Sequence, residues 1–303
     1  MKKNNLFIAT SSFSVEDKYI LNSLKKKKIF FKTNPIKKKL NDKEIIKYAK
    51  NFTHIIAGTE IYNQNVLNKL VNLKYIFRLG SGTDNINFKI LKQKKIKFQK
   101  SNITPEVAVA ELIIGFVISI LRNIHEQNSD MKKKIWVKKM GNLLQGKNFG
   151  IVGYGKVGKY LGKLLKNFGV NLIISDLKKI KKINQKSLEY LIKNSDIISL
   201  NLNSNKNKKI IFSKEKLLKL KKNCIFINTS RAEVVDYEYL YKLLKNKKIL
   251  GAALDVFKKE PYYGKFNKLS NTLLTPHIGG YAKEIRLAME KEAINKTIKN
   301  FYL

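Results

Sequence analysis

The sequence predicts an α/β protein built from two doubly wound parallel-sheet domains, on three observations. Short apolar runs alternate with longer amphipathic, lysine-faced segments along the whole chain. The runs fall into two series, and 303 residues, at a soft prior of about 150 per domain, leave room for two cores. In the first series, strands are expected at 6–10, 29–32, 54–57, 75–79 and 96–99, with helices between them. The second series gives strands at 149–153, 171–176, 196–200, 224–228, 250–254 and 273–274. A boundary falls near 102–105, because the residue before Pro105 is pushed out of the helical region and a long apolar helix follows directly. Beyond the last strand, Ile285, Ala288, Met289, Ala293, Ile294 and Ile298 keep helical spacing. The expected organisation is therefore 1–101 as one domain, 102–284 as the second, and 285–303 as a helix returning to the first.

Composition narrows the class. A hydrophobic fraction of 44% and an aromatic fraction of 10% exclude a disordered or collagen-like chain. The single Cys224 forms no intramolecular disulfide and no cysteine zinc site, so a reducing, cytoplasmic setting and no metal are expected. The apolar run 6–9 is too short for a signal-peptide core. The run 107–121 contains Glu111 and falls short of the ~20 residues needed to cross a bilayer, so it reads as a buried helix, with no membrane partner. The net charge of +40 is extreme, yet among 62 basic residues only Arg78, Arg122, Arg231 and Arg286 are arginine. Lysines spread through every segment read as solvated helix faces. No specific nucleic-acid partner is expected, only weak association that fades with salt.

The strongest local motif is Gly153, Tyr154, Gly155, Lys156, Val157 and Gly158, a GxGxxG directly after an apolar run and opening a helical pattern. The first glycine permits the tight turn, the second lets backbone approach a pyrophosphate, and the third allows close helix–strand packing. Backbone N–H groups of Lys156 and Val157 at the helix start are placed to hold phosphate. Asp176, 18 residues past Gly158, ends the next strand, where a carboxylate accepts from the adenine ribose and repels a 2′-phosphate. The expected cofactor is NAD rather than NADP.

Three further blocks follow in order: Asn228, Thr229, Ser230 and Arg231; then Ala253 through Phe257 with Glu260 and Pro261; then Thr275, Pro276, His277, Ile278, Gly279 and Gly280. Together with Gly80 through Asn85 and Val109 through Leu112, this set resembles the D-isomer-specific 2-hydroxyacid dehydrogenases, in their phosphoglycerate-dehydrogenase-like branch, over nearly the whole chain. The resemblance implies a Rossmann-type NAD domain inserted into a flavodoxin-like substrate domain, the two enclosing a cleft. It also implies NAD-dependent interconversion of a D-2-hydroxy acid and its 2-oxo acid, with 3-phosphoglycerate-like acids among the candidates.

Oxidising a 2-hydroxy acid removes a hydroxyl proton as hydride leaves C2, so one group must accept a proton near neutral pH, which suits histidine. The resemblance assigns that role to His277, with Glu260 orienting its ring, and gives Arg231 the substrate carboxylate and 2-oxygen. Asp255 is implied to contact the nicotinamide carboxamide, and Thr229, Gly279 and Gly280 to line the cofactor. Substrate binding is expected at Ser81 and Gly82 through backbone N–H groups, and at Arg78 toward a distal phosphate or second carboxylate, with a surface arginine at a strand end as the equal alternative for Arg78. Taken singly, Arg231 as a partner of some carboxylate, Glu260 as a turn acid and His277 bonded to backbone are the ordinary readings; three at matching positions reverse that. His54 and His125 read as structural.

The chain departs from the family pattern at Ala232, where a glycine usually follows the arginine, at 201–204, where a His-x-Pro-x-Thr stretch is usual, and in the short interval between Glu260 and His277. A dinucleotide-sensing, corepressor-like protein of the same fold is the alternative. The apolar residues of the helix beginning at Pro105 cover more than one face, which points to a homodimer through 105–136, with Trp136 as a candidate anchor.

Overall fold

The computed structural model describes residues 5–80, 82–202 and 210–302. Among the described residues, eleven strands form two wholly parallel sheets. The chain divides into two compact units, one comprising Met1–Thr104 with Ala282–Leu303, the other Pro105–Tyr281.

In the first unit, strands β1 (Asn5–Ile8), β2 (Phe30–Thr33), β3 (His54–Ala57), β4 (Tyr75–Arg78) and β5 (Lys97–Lys100) lie in the order β2-β1-β3-β4-β5. This is the flavodoxin-like order. Alternation along the buried strands sends side chains to two cores. Phe7, Ile55 and Ile76 meet one helical layer, while Leu6, Ile8, Ile56, Tyr75 and Phe77 meet the other. The second layer includes the helix Lys283–Phe301, which inserts Met289, Ala293 and Ile294. Its far end is clamped by His54, whose ring lies 3.8 Å from that of Phe301 and whose Nε2 is 3.1 Å from Asn300 Oδ1.

In the second unit, β6 (Asn148–Val152), β7 (Asn171–Ser175), β8 (Ile197–Leu200), β9 (Ile225–Asn228), β10 (Gly251–Leu254) and β11 (Thr272–Leu274) run in the order β11-β10-β9-β8-β6-β7. Beyond β7 the sheet continues as a single parallel bridge between Ile174 and Gln185. Counting that bridge as a third strand gives the Rossmann order 3-2-1-4-5-6 with β11 added at the edge. The helix Glu106–Leu121 is apolar because it is interior: Ala110, Ile113, Phe116, Val117, Ile120 and Leu121 share one core with Phe149, Ile151, Ile225, Ile227 and Ala253. Among the described residues, no single helix is long and apolar enough to cross a membrane.

Candidate active site

In the second unit the strand register brings five strand ends into line. Val152 pairs with Leu200, Leu200 with Asn228, Asn228 with Leu254, and Leu254 with Leu274. The loops leaving this edge carry the glycine motif, Arg231, Glu260 and His277, and the carboxyl edge of an open parallel sheet is where such folds bind ligands.

The glycine turn follows β6. Gly153 has φ 89°, and a Cβ there would stand 2.7 Å from Asn201 O, so both conformation and space require glycine. Gly158 packs so closely on Gly153 O that no side chain fits, whereas a Cβ on Gly155 would meet nothing within 4 Å among the described residues. Gly155 is the N-cap of the helix Lys156–Leu165, and open space at that point leaves the first backbone N–H groups facing room for a phosphate. At the end of β7, Asp176 accepts from Tyr154 N at 2.7 Å and Lys178 N at 2.8 Å, which locks the carboxylate beside the glycine turn. Thr229 Oγ1 is buried without a hydrogen-bond partner among the described residues. An unmet hydroxyl at a predicted cofactor-lining position, together with open space at Gly155 and an anchored Asp176, fits a bound dinucleotide.

The loop after β9 holds Arg231 in extended backbone, with Nη1 donating to Ser230 O at 2.7 Å. Ala232 begins a short 3-10 turn and is not among the positive-φ residues, so alanine stands without strain where the family pattern has glycine. Asn228, unassigned from sequence, is fully buried and shapes this loop. Its Oδ1 accepts from Ser230 N at 3.0 Å and Ser230 Oγ at 2.9 Å, while its Nδ2 donates to Arg231 O at 2.9 Å.

The loops after β10 and β11 make the proton-handling pair. His277 Nδ1 lies 3.0 and 3.1 Å from the two carboxylate oxygens of Glu260, and Glu260 Oε1 also accepts from Phe257 N. His277 has φ 58°, a left-handed conformation uncommon outside glycine. Asp255 holds the turn in place: Oδ1 accepts from Ile278 N at 2.7 Å and Thr275 Oγ1 at 2.6 Å, and Oδ2 accepts from Gly279 N at 2.8 Å. Burial pushes the Asp255 carboxyl up, opposed by these donors and by His277. The expected nicotinamide contact thus falls on a side chain engaged in shaping the His277 turn. Gly280 lies against Pro105.

Arg78 and Gly82 belong to the first unit; Ser81 and positions 203 and 204 lie outside the described residues. Arg78 ends β4 and turns back over Gly80, Nη1 donating to Leu79 O. Nearby Glu60 is 2% exposed. Its carboxyl is raised by burial and lowered by Gly58 N–H and Arg78. Arg78 therefore sits beside a buried countercharge. His54 and His125 make structural contacts, His125 through Ser270 O.

Residues 114–279 match the family model for the D-isomer specific 2-hydroxyacid dehydrogenase NAD-binding domain. The chain belongs to the D-isomer specific 2-hydroxyacid dehydrogenases. It is accordingly an NAD-dependent oxidoreductase acting on the CH–OH group of a 2-hydroxy acid. Hydroxypyruvate reductase of Thermotoga maritima is 33% identical over 237 residues, covering 75% of this chain and 78% of the relative. D-3-phosphoglycerate dehydrogenase of Methanocaldococcus jannaschii is 31% identical over 277 residues, 86% of this chain, which spans 52% of that longer protein. In fold, the chain matches a phosphoglycerate oxidoreductase from Vibrio cholerae with a TM-score of 0.88 at 22% identity, covering 99% of each chain.

Proposed function

We propose that this dehydrogenase reduces a short 2-oxo acid to its D-2-hydroxy acid, and runs the reverse oxidation, with His277, Glu260 and Arg231 as its catalytic residues. The observation that carries the proposal is the contact of Glu260 with His277 Nδ1 at 3.0 Å. With Nδ1 turned to the carboxylate, Nε2 is the nitrogen left to exchange a proton with the substrate 2-oxygen. When bound, NADH supplies the hydride that adds to C2. In reduction, His277 Nε2 gives its proton to the carbonyl oxygen as the C–H bond forms, and Glu260 stabilises the imidazolium before transfer. In oxidation, His277 takes the hydroxyl proton. Arg231 holds the carboxylate and polarises the 2-oxygen through a planar guanidinium, a contact that lysine reproduces poorly. Asp176 reads the adenine ribose and favours NAD over NADP.

The test is a panel of 2-oxo acids with NADH, beginning with glyoxylate, hydroxypyruvate and its 3-phosphate, followed by chiral analysis of the product. Turnover giving the D-isomer supports the reading. Tight NADH binding without turnover of any acid points instead to a dinucleotide sensor. Arg231→Lys should lower kcat/KM for the oxo acid by roughly 10²-fold, with NADH binding retained.

The same proposal includes a cytoplasmic homodimer paired through 105–136. Support comes from a run of exposed apolar side chains at and just beyond this region: Ile124, Met131, Ile135, Trp136 at 78% exposure, Met140 at 97% and Leu143. Lys139, bridged to Glu126 at 3.0 Å and Asp130 at 2.8 Å, fixes the segment that displays them.

A further inference from the structure

We propose that Tyr237 is a positioning residue for the dehydrogenase reaction, a single buried phenol that ties the loop carrying Arg231 to the loop carrying Glu260. The inference rests on the catalytic reading above. Tyr237 opens the helix Tyr237–Lys245 and is 6% exposed. Its hydroxyl accepts from Asn228 Nδ2 at 3.1 Å and donates to Val256 O at 2.8 Å. One partner stands at the end of β9 and the other just past the end of β10.

The bonds on each side lead to the site without a gap. Asn228 spends its other valences on Ser230 N, Ser230 Oγ and Arg231 O, so all four of its hydrogen-bonding directions are satisfied and its amide has one orientation. The phenol oxygen is the acceptor for the second Nδ2 hydrogen, the one direction that reaches beyond the Arg231 loop. On the other side, Val256 precedes Phe257, whose N–H donates to Glu260 Oε1 at 3.1 Å, the same oxygen that meets His277 Nδ1. Where the β9–β10 ladder ends with Asp255 N donating to Asn228 O at 3.0 Å, the phenol adds a side-chain tie between the guanidinium-bearing loop and the carboxylate-bearing loop, in a buried position.

The ring is held independently of the hydroxyl, which makes the two roles separable. Tyr237 packs edge-on against Phe266 at 5.6 Å, inside the core formed with Phe226, Leu240 and Leu254. Tyr237→Phe keeps this packing and removes only the oxygen. Asn228 Nδ2 and Val256 O then each lose a partner in a buried site, and the two loops lose the side-chain tie beyond the strand ladder.

The test compares wild type, Tyr237→Phe and Phe266→Leu, the last disturbing the same core while leaving the phenol and its partners in place. Wild type must first turn over a 2-oxo acid with NADH; failure there removes the catalytic reading and this role with it. For Tyr237→Phe, kcat/KM for the oxo acid should fall about tenfold or more, as misplacement of reacting groups by a fraction of an ångström costs. NADH affinity, read by fluorescence titration, should stay within about twofold, since the glycine turn and Asp176 are untouched. Phe266→Leu should lower Tm at least as much and keep kcat/KM within about twofold of wild type. Equal kcat/KM in wild type and Tyr237→Phe, or an equal fall in Phe266→Leu, overturns the proposal.

Discussion

His277 combines a left-handed backbone with a side chain that must point at Glu260, and Asp255 resolves the conflict by accepting three hydrogen bonds from the turn around it. Asp255→Ala would take a fully buried acceptor away from Thr275, Ile278 and Gly279, and should cost at least about 2 kcal/mol in urea unfolding; a stability equal to wild type would show that the turn holds itself. Asp176 makes a cofactor prediction. Asp176→Asn keeps acceptor geometry on one oxygen and removes the charge, so preference for NADH over NADPH should narrow about tenfold, some 1.4 kcal/mol. An unchanged ratio would show that another group reads the ribose. The placing of Arg231, Glu260, His277 and Asp176 at strand ends along one sheet edge was legible in the sequence because each stands in a short motif whose neighbours constrain it. Asn228 was not, although it lies in one of those motifs. Its work is a set of hydrogen bonds that come into being only when the Arg231 loop and the Tyr237 helix close around the end of β9.

His54, at the start of β3, gives the clearest pH dependence of any element. Burial lowers its pKa from 6.5 to about 4, with Asn300 opposing the shift and Lys74 adding to it. The unfolded chain takes up this proton below pH 6.5 while the folded chain refuses it until about pH 4. Stability supplied by the neutral imidazole is therefore complete above pH 6.5 and drains away on acidification through that window, by about 3 kcal/mol in all. His54→Gln should flatten this part of the pH profile in chemical unfolding; an unchanged slope would assign it to other groups. Strand positions were readable because parallel strands buried on both faces are short apolar runs. At the sheet edges the reading ran one residue early. Ile29 and Ile96 are buried immediately before β2 and β5 and drew the expected strands to 29–32 and 96–99, whereas pairing begins at Phe30 and Lys97. The third Rossmann strand was not anticipated, since the polar stretch around Gln185 forms a single bridge with no apolar run to announce it.

Across the whole molecule, the two-sheet α/β architecture was legible from alternation alone, and the family from ordered blocks. The surface expected to pair subunits was placed on the long helix because its apolar residues exceed one face. The structure buries most of those residues in the helix's own unit and leaves the large exposed side chains after it, from Ile124 to Leu143. A chain of 35.0 kDa should accordingly show about twice that mass by light scattering, the usual outcome of closed two-fold pairing. Trp136→Asp should return it to the monomer mass with its far-UV circular dichroism intact, whereas a wild-type monomer at micromolar concentration would remove the pairing model.

In the proposed reaction His277, held by Glu260, moves the proton while the hydride is transferred. The most direct measurement is the rate of NADH oxidation by purified His277→Ala and wild type with the best 2-oxo acid, beside an NADH titration of both proteins. Wild type should turn over, the variant should fall by at least about 10²-fold, in line with loss of a positioned acid–base group, and NADH affinity should be equal in the two. A His277→Ala variant that turns over at the wild-type rate would contradict that role.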